Sequence, residues 1–277
     1  MRTLKCWIIA MIMLLPMVAF AENVTDVPNW RLDAPRDRVV PANLRVDDRL
    51  SISGSGQMSP EGLRWLYGRL KDRAVYVVDI RQEPHGFADG VPVSWHTRGN
   101  AANAGLSAGE VERREMSLLM SGVGRSMTAY PMGRMDIESG MAAVSFTPSH
   151  VSTERMEAEL AGLRYVRISA VDMRWPDPEA VDEFMDFYRE LSGSRWVHFH
   201  CQAGRGRTTT FMALYEILAC PNETVEQVVA HQKEIGGIDL AAAGRLEQLR
   251  LFHRFADETR PGGFVMRWSD WLRANGM

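Results

Sequence analysis

Residues 200–208 combine a cysteine, two glycines and an arginine at a spacing suited to phosphate chemistry. Five residues separate Cys201 from Arg207, among them Gly204 and Gly206. Glycines let successive backbone N–H groups converge on one anion, while a guanidinium binds two phosphate oxygens at once. The same N–H groups favour the thiolate form of a cysteine, which is the nucleophile. The pattern predicts phosphoryl transfer to Cys201, whereas the spacing alone would favour a structural cysteine and a surface arginine.

A strand and a helix are predicted to hold this loop. The apolar run WVHFH (196–200) predicts a strand, and residues 206–219 predict one helix. A strand-to-helix turn places the loop N–H groups at a helix N-terminus, where anions bind. The helix also separates Cys201 from Cys220 by roughly 20 Å, whereas a disulfide needs Cα atoms within about 7 Å. Cys201 is therefore expected to be a free thiol.

The remaining sequence alternates strands with helices, which predicts an α/β fold around a largely parallel sheet. Apolar runs predict strands at 74–80 and 165–169, and residues 81–106 are predicted to be loop. Residues 125–148 contain β-like pieces. Capping residues and apolar periodicity predict helices that begin after Ser59, Ser107 and Thr224 and others that cover 153–162, 178–191, 241–258 and 264–274.

The first 21 residues are predicted to be a signal peptide. Arg2 and Lys5 precede an apolar run too short to cross a bilayer, and Ala19-Phe20-Ala21 fits a cleavage site. The alternative is an uncleaved membrane anchor. Cleavage would change the formal net charge from −3 to −5, which argues against a general nucleic-acid partner and is compatible with a local basic pocket. We expect an exported protein, periplasmic or secreted, without stable membrane association; the sequence does not determine its oligomeric state.

The segment around Cys201 resembles a known enzyme family. His200-Cys201-x5-Arg207-Thr208 is similar to the signature of protein-tyrosine-phosphatase-like enzymes. The longer HFHCQAGRGRTT is similar to their inositol polyphosphatase branch, the cysteine phytases. The similarity extends over roughly residues 40–272 and includes VVDIRQEPHGF (77–87), VSWHTRGNAANAG (93–105), DMRWPDPEAVDEFMDFY (172–188), HQKEIGG (231–237) and WSDWL (268–272).

The resemblance implies a fold and a reaction. The fold is a phosphatase core, a central largely parallel sheet flanked by helices, with a small partly inserted β-domain. We expect one cysteine phosphatase domain over residues 22–277, whose β-subdomain comes from parts of about 22–58 and 120–150. The reaction is stepwise hydrolysis of inositol phosphates through a phosphocysteine, without metal or cofactor. The sequence also lacks metal-ligand spacings such as C-x2-C or H-E-x-x-H.

Two aspartates are candidates for the general acid. Phosphoryl transfer needs a proton for the leaving oxygen and later a base for the attacking water. Asp177 completes the Trp-Pro-Asp triplet of tyrosine phosphatases, but it also precedes Pro178 as a helix N-cap, which would occupy its carboxylate. Asp172 matches the D-x-x-W-P register of the phytase branch, with Met173 where that branch often has histidine. We favour Asp172 and retain Asp177 as the alternative.

The resemblance also implies supporting residues in and beside the loop. Thr208 would donate a hydrogen bond to the thiolate, although it also fits a helix first turn. His200 would order the loop or be an ordinary core histidine. The predicted substrate-binding residues of the loop are His200, Gln202, Ala203, Gly204, Arg205 and Gly206.

Four cations are candidate contacts for the substrate, and three of them have a structural alternative. Arg205 within the loop suits a substrate with several phosphates or is a solvated loop charge. Arg81 would bind a peripheral phosphate or form a structural ion pair with Asp79. Arg45 in PANLR resembles a substrate-contacting arginine of the family. Lys233 on a predicted helix would reach the pocket or lie on a solvated face.

Other functions share parts of this pattern. A secreted phosphotyrosine or phosphoinositide phosphatase would use the same loop, because the loop recognises one phosphoryl group. A sulfurtransferase also carries cysteine on an anion-binding loop, but it gives no reason for Arg207-Thr208 or for Asp172. A binder without activity would not need every catalytic residue. We therefore expect a phosphatase of myo-inositol hexakisphosphate and lower inositol phosphates, with the phosphotyrosine or phosphoinositide enzyme as the alternative.

Overall fold

The computed structural model describes residues 30–95, 103, 105–131 and 140–277, and the predicted signal peptide lies outside them. A central sheet of five strands crosses this part of the chain. Its first four strands in space are parallel neighbours, and the fifth is antiparallel at one edge, which confirms the predicted largely parallel sheet. In spatial order the strands are β10 (Arg164–Arg167), β4 (Ala74–Asp79), β11 (Arg195–His200), β3 (Ile52–Ser55) and β2 (Arg45–Asp47).

A second, antiparallel sheet has four short strands. In its core the rings of Trp30 and Trp95 pack edge to face with centroids 4.6 Å apart. In spatial order the strands are β1 (Trp30–Leu32), β6 (Val91–Trp95), β5 (His85–Ala88) and β9 (Val151–Ser152). A separate two-stranded ribbon consists of β7 (Met127–Ala129) and β8 (Val144–Phe146).

The prediction of loop over residues 81–106 is wrong, because part of this segment forms the hairpin of β5 and β6. Asp89 and Gly90 connect the two strands with φ values of +48° and +77°. A two-residue turn with both φ values positive matches the twist of paired strands, and Asp-Gly is a preferred pair for it. Parts of residues 22–58 are predicted to belong to the β-subdomain. Of the strands in this range, β1 lies in the smaller sheet, whereas β2 and β3 lie in the central sheet. The domain division itself stays a prediction.

Eight helices accompany the strands in the described ranges. The predicted starts of three of them are confirmed, since Ser59, Ser107 and Thr224 stand at their N-caps. Within the same ranges, none of the helices combines the length and the apolar character that a membrane crossing needs. The helices are α1 (Pro60–Leu70), α2 (Ala108–Gly122), α3 (Glu154–Leu160), α4 (Pro178–Glu190), α5 (Gly206–Ala219), α6 (Val225–Glu234), α7 (Leu246–Thr259) and α8 (Trp268–Ala274).

Side chains of β4 alternate between two apolar cores. Val78 packs in the cluster that contains Phe184 of α4 and Phe211 of α5. Val77, on the opposite face, packs with Leu63 of α1. Helices thus cover both faces, as a parallel sheet requires. The central strands that lead into the loop at residue 201 are therefore held in a close-packed frame.

Candidate active site

The loop after β11 occupies the carboxyl end of the central sheet. β11 ends at His200 and α5 begins at Gly206, the bounds that the sequence predicts for that helix. β11 lies between β4 and β3, so the segments after those strands surround the loop. Ligand sites of open α/β sheets occur at this edge, outside the carboxyl ends of the strands.

Close packing against the segment after β3 makes Gly204 irreplaceable without a shift of the loop. Its φ is +71°, and a Cβ there would lie 2.2 Å from Gly56 N and 2.3 Å from the carbonyl carbon of Ser55. Gln57 N also donates a hydrogen bond to Gln202 O at 3.0 Å. Gly204, the first glycine of the predicted nest, is therefore needed for its conformation and for its missing side chain.

The candidate nucleophile lies at the base of this loop. Cys201 is only 3% exposed and is a free thiol, as is Cys220 at the far end of α5. Thr208 Oγ1, which is fully buried, donates to Cys201 Sγ at 3.2 Å. The structure thus brings Thr208 to the sulfur as the sequence predicts.

The carboxylate of Glu83 holds the guanidinium of Arg207 in place. Its Nη1 and Nη2 donate to Glu83 Oε2 at 2.6 Å and Oε1 at 2.8 Å, and Nη1 lies 3.2 Å from Ala170 O. Burial lowers the pKa of Arg207, but the carboxylate of Glu83 outweighs burial and raises that pKa above its ordinary value. Arg207 Nε is buried, has no hydrogen-bond partner among the described residues, and lies 3.2 Å from Asp172 Oδ1. This nitrogen and the second N–H of Nη2 are the donors that remain for a bound phosphate.

Glu83 is a site residue that the sequence reasoning missed. It is 1% exposed and stands between the guanidinium groups of Arg207 and Arg81. Burial raises the pKa of Glu83, but the two arginines reverse this and hold the pKa well below its usual range. The available signal was a carboxylate in the polar stretch Arg81-Gln82-Glu83, directly after an apolar strand whose carboxyl end faces the loop.

The two acid candidates occupy different positions. Asp172 lies beside Arg207, and its side chain is 27% exposed, so it can reach both the loop and solvent. Asp177 stands at the N-cap of α4 as predicted, but its side chain makes no capping hydrogen bond, so the predicted occupation of that carboxylate is wrong. Met173 has a φ of +62° and is 87% exposed, and its N–H donates to Asp172 Oδ1 at 2.9 Å. This turn directs Asp172 toward the loop and favours it by geometry.

His200 faces away from the anion site into a buried polar network. Its Nε2 lies 3.2 Å from Glu154 Oε1, and the ring has no exposed surface. Burial lowers the pKa of His200, so the imidazole is neutral near pH 7. Glu154 in turn accepts from Gln57 Nε2 at 2.9 Å, and Gln57 holds the loop carbonyl of Gln202. The geometry supports the predicted role of His200 in ordering the loop.

His198, two residues earlier on β11, completes a chain of hydrogen bonds under the loop. Trp196 Nε1 donates to Ser53 Oγ at 2.8 Å, and Ser53 Oγ lies 2.8 Å from His198 Nδ1. His198 Nε2 lies 2.9 Å from Ser55 Oγ, which donates to Gly56 O at 2.7 Å. Burial lowers the pKa of His198 to about 3, so the ring is neutral. One ring nitrogen then accepts a hydrogen bond from Ser53 Oγ and the other donates one to Ser55 Oγ, so that every donor in the chain points from Trp196 toward Gly56 O.

Two arginines predicted to contact substrate are bound internally instead. Arg45 is 4% exposed and donates to Gly204 O at 2.7 Å and to Thr209 Oγ1 at 3.0 Å, so it braces the loop. Burial lowers the pKa of Arg45 to about 10. Arg81 has no exposed surface, and its guanidinium bonds Asp33 and Glu83, both at 2.9 Å. The structural alternative for Arg81 is therefore right, although its partner is Asp33 and not Asp79.

The other predicted binding residues divide into two groups. Gln202, Ala203 and Arg205 line a cleft at the side of the loop. Lys233 is exposed on α6 and pairs with Asp239 at 2.8 Å, and its described contacts do not reach the loop. Sequence reasoning also missed Arg245, whose Nη1 donates to Gly206 O at 3.1 Å.

Two clusters have donor atoms close enough to share a metal ion. In each, the three donor atoms lie within 4.8 Å of one another. Arg167 lies 3.1 Å from Asp79 in the first cluster, and Arg49 lies 2.6 Å from Glu216 in the second, so side-chain cations already neutralise these carboxylates. The clusters are Asp79, Glu154 and His200, and Asp47, Glu216 and His231.

Comparisons with known proteins agree with this geometry. Residues 78–219 match the family model of the PTP-like phytases, and the description of that model names inositol hexakisphosphate. The PTP-like phytase of Bdellovibrio bacteriovorus is 30% identical, with a TM-score of 0.71 over 88% of this chain and 94% of that one. The PTP-like myo-inositol phosphatase of Mitsuokella multacida, solved with myo-inositol-(1,3,4,5)-tetrakisphosphate, is 29% identical, with a TM-score of 0.77 over 88% of this chain and 48% of that one.

A curated relative is similar over most of this chain. The effector protein hopD2 of Pseudomonas syringae pv. tomato is 28% identical over 243 residues, which cover 80% of this chain and 51% of that protein. The chain therefore spans about half the length of hopD2 and of the Mitsuokella protein. The matches confirm the phosphatase-like α/β fold that the sequence predicts.

Proposed function

The chain belongs to the family of protein-tyrosine-phosphatase-like phytases, and on that premise we propose that it hydrolyses phosphomonoesters of myo-inositol hexakisphosphate and lower inositol phosphates through a phosphocysteine on Cys201. The observation that carries the proposal is the joint placement of five side chains. Cys201 Sγ accepts from Thr208, while Arg207 is fixed by Glu83 with its Nε beside Asp172. These groups supply a nucleophile, an anion clamp and a proton donor.

In the first step the Cys201 thiolate attacks phosphorus, and the bond from phosphorus to the alkoxide oxygen breaks. Arg207 Nε and the loop N–H groups bind the nonbridging oxygens, whose charge they stabilise as the transition state forms. Asp172, partly exposed beside Arg207, gives its proton to the leaving oxygen. The product is an inositol with one phosphate fewer.

In the second step water attacks the phosphocysteine. Asp172, now a carboxylate, accepts a proton from that water, and the sulfur leaves as a thiolate. The hydrogen bond from Thr208 Oγ1 stabilises this thiolate. Every proton transfer and every bond change is served by a side chain of the loop or its neighbours, so the mechanism needs no metal ion.

We also propose that the protein is exported, on the basis of the predicted signal peptide at residues 1–21. N-terminal sequencing of the protein from a periplasmic or culture fraction tests this. A mature chain that starts at Glu22 is the expected result, and an intact N-terminus on membrane-bound protein would support the anchor instead.

The activity is tested by phosphate release from myo-inositol hexakisphosphate in EDTA, with a phosphotyrosine peptide as the parallel substrate. Cys201→Ser is the inactive control. We expect fast release from the inositol phosphate, none from the variant, and slower release from the peptide. Faster release from the peptide would mean that a phosphotyrosine protein and not an inositol phosphate is the substrate, with the cysteine mechanism unchanged. Activity in Cys201→Ser would contradict that mechanism.

A further inference from the structure

Gln57 lies between two buried networks of charged side chains beside the Cys201 loop. It is the second residue after β3 and is 3% exposed. Its Oε1 accepts a hydrogen bond from Arg81 Nη1 at 2.5 Å, and its Nε2 donates to Glu154 Oε2 at 2.9 Å. Its backbone N–H donates to the carbonyl of Gln202, next to the nucleophile, at 3.0 Å. One residue therefore contacts both networks and the loop.

The network on the Oε1 side leads to the arginine that binds phosphate. Arg81 Nε donates to Glu83 Oε1 at 2.9 Å, and the same oxygen accepts from Arg207 Nη2 at 2.8 Å. Arg81 Nη1 also donates to Asp33 Oδ2 at 2.9 Å, so Asp33 and Gln57 share this nitrogen. A change at Gln57 therefore reaches Arg207 through two buried side chains, Arg81 and Glu83.

The network on the Nε2 side leads to the strand that carries the nucleophile. Glu154 is the first residue of α3 and is 1% exposed, and its Oε2 also lies 3.0 Å from His85 Nε2. Its other oxygen, Oε1, lies 3.2 Å from Nε2 of His200, the residue before Cys201. Glu154 thus links Gln57 to β5 of the smaller sheet and to the end of β11.

A primary amide is the side chain whose two ends fit these neighbours. Gln57 presents an acceptor to the guanidinium of Arg81 and a donor to the carboxylate of Glu154. Methionine, of similar length, would offer neither hydrogen bond, and a carboxylate would place acceptors against each other. Hydrogen bonds to charged groups are strong in a buried site, so the two bonds fix the amide in one orientation.

We propose that Gln57 is a positioning residue that holds the guanidinium of Arg207 and the Cys201 loop in register with each other. It acts on the arginine through Glu83 and on the loop through the carbonyl of Gln202. The inference rests on the proposed cysteine mechanism and adds a residue that none of its steps uses. A displacement of about 1 Å between reacting groups can cost about 100-fold in rate, so loss of this register should be visible in kinetics.

The first test replaces Gln57 with methionine. Steady-state kinetics use para-nitrophenyl phosphate, whose single phosphoryl group reports on the loop and its arginine. We expect kcat/KM of Gln57→Met to fall about tenfold or more in protein whose fold is confirmed by circular dichroism. Gln232→Met is the matched control, because Gln232 is also fully buried and donates to a carboxylate, Glu216 Oε2, at 2.8 Å. It should keep the kcat/KM of the wild type.

The second test measures the pH dependence of kcat/KM for Gln57→Glu, alone and combined with Glu154→Gln. In the single variant two buried carboxyl groups are adjacent, so one of them keeps its proton at pH values where an ordinary glutamate has lost it. The protonated carboxyl group donates and accepts as the amide does. Activity relative to the wild type should therefore be highest at acidic pH and fall about tenfold as the pH rises and this proton is lost. The double variant exchanges the amide and the carboxylate and should restore the pH profile of the wild type. The titratable groups that also face this pair are unchanged in both variants, and they are Asp79, Arg81, His85 and His200.

Each outcome has one meaning. A loss in Gln57→Met but not in Gln232→Met, with recovery in the double variant, supports the proposal. Folded Gln57→Met with the kcat/KM of the wild type overturns it, as does an equal loss in Gln232→Met. A folded double variant that stays as inactive as Gln57→Glu at alkaline pH also overturns it. Wild-type protein that hydrolyses para-nitrophenyl phosphate but not hexakisphosphate overturns the proposed substrate and leaves this inference intact. Wild-type activity in Cys201→Ser overturns the cysteine mechanism, and the inference with it.

Discussion

Replacing Glu83 with glutamine removes the charge that fixes Arg207 in the loop. The two side chains are joined by hydrogen bonds of 2.6 and 2.8 Å, and their exposed fractions are 1% and 2%. Breaking a buried ion pair costs about 3–5 kcal/mol, and we expect about 3 kcal/mol because the glutamine oxygen still accepts from Arg207. The carbonyl of Ala170 also continues to hold Nη1, at 3.2 Å.

The effect on catalysis should exceed what lost stability explains. A guanidinium displaced by about 1 Å from the phosphate costs about 100-fold in rate, so we expect kcat/KM of Glu83→Gln to fall about 100-fold in folded protein. Urea denaturation measures the stability, and steady-state kinetics with para-nitrophenyl phosphate measure the activity. Glu115→Gln is the matched control, since Glu115 is 2% exposed and pairs with Arg167 at 2.8 Å rather than with Arg207. It should lose comparable stability and keep kcat/KM.

Two results would refute this reasoning. One is a folded Glu83→Gln protein with the kcat/KM of the wild type, which would mean that the position of Arg207 does not depend on this carboxylate. The other is an equal loss of kcat/KM in Glu115→Gln, which would trace the effect to general loosening of the fold.

Three further predictions follow from the loop and its supports. Gly204→Ala should lower kcat/KM about 100-fold because its Cβ would meet backbone at 2.2 Å, whereas Gly244→Ala, at the same φ of +71° in open space, should cost about 1 kcal/mol of stability and no activity; equal activities would contradict the close packing. Asp172→Asn should lower kcat on inositol phosphates about 100-fold or more and Asp177→Asn should not, and the reverse order in steady-state assays would assign the acid to Asp177. The pKa of His198, lowered by burial to about 3, means that the unfolded chain takes up one more proton below about pH 6.5. Stability should therefore fall as the pH drops from about 6.5 toward 3, with a His198 share of about 1.4 kcal/mol per pH unit. In urea denaturation across this range, the free energy of unfolding of His198→Gln should fall less steeply with decreasing pH than that of the wild type. An equal pH dependence of the two proteins would contradict a neutral buried ring.

Local signals in the sequence were sufficient for the loop and for most helices. The bounds of α5 and the N-caps at Ser59, Ser107 and Thr224 depend on neighbours within one turn, so the pattern of residue types decides them. The Asp89-Gly90 turn is also a local signal, and it indicates the β5–β6 hairpin that the prediction of loop over residues 81–106 omits.

Contacts across long stretches of chain could not be deduced in this way. Glu83 and Arg207 are 124 positions apart, and Arg81 meets Asp33 across 48. Arg45 was assigned to substrate because its type and motif suit a phosphate, yet burial against Gly204 directs its donors to the loop carbonyl. Which cations face solvent depends on how the two sheets and their helices pack, and residue type alone does not encode that.

The central claim is that an inositol phosphate transfers a phosphoryl group to Cys201. Protein mixed with myo-inositol hexakisphosphate in EDTA, quenched in denaturant during turnover and digested, is examined by mass spectrometry. The account predicts the added mass of one phosphoryl group on the peptide that contains Cys201, and none in Cys201→Ser. Continued phosphate release with the modification on another residue, or with no modification at all, would contradict it.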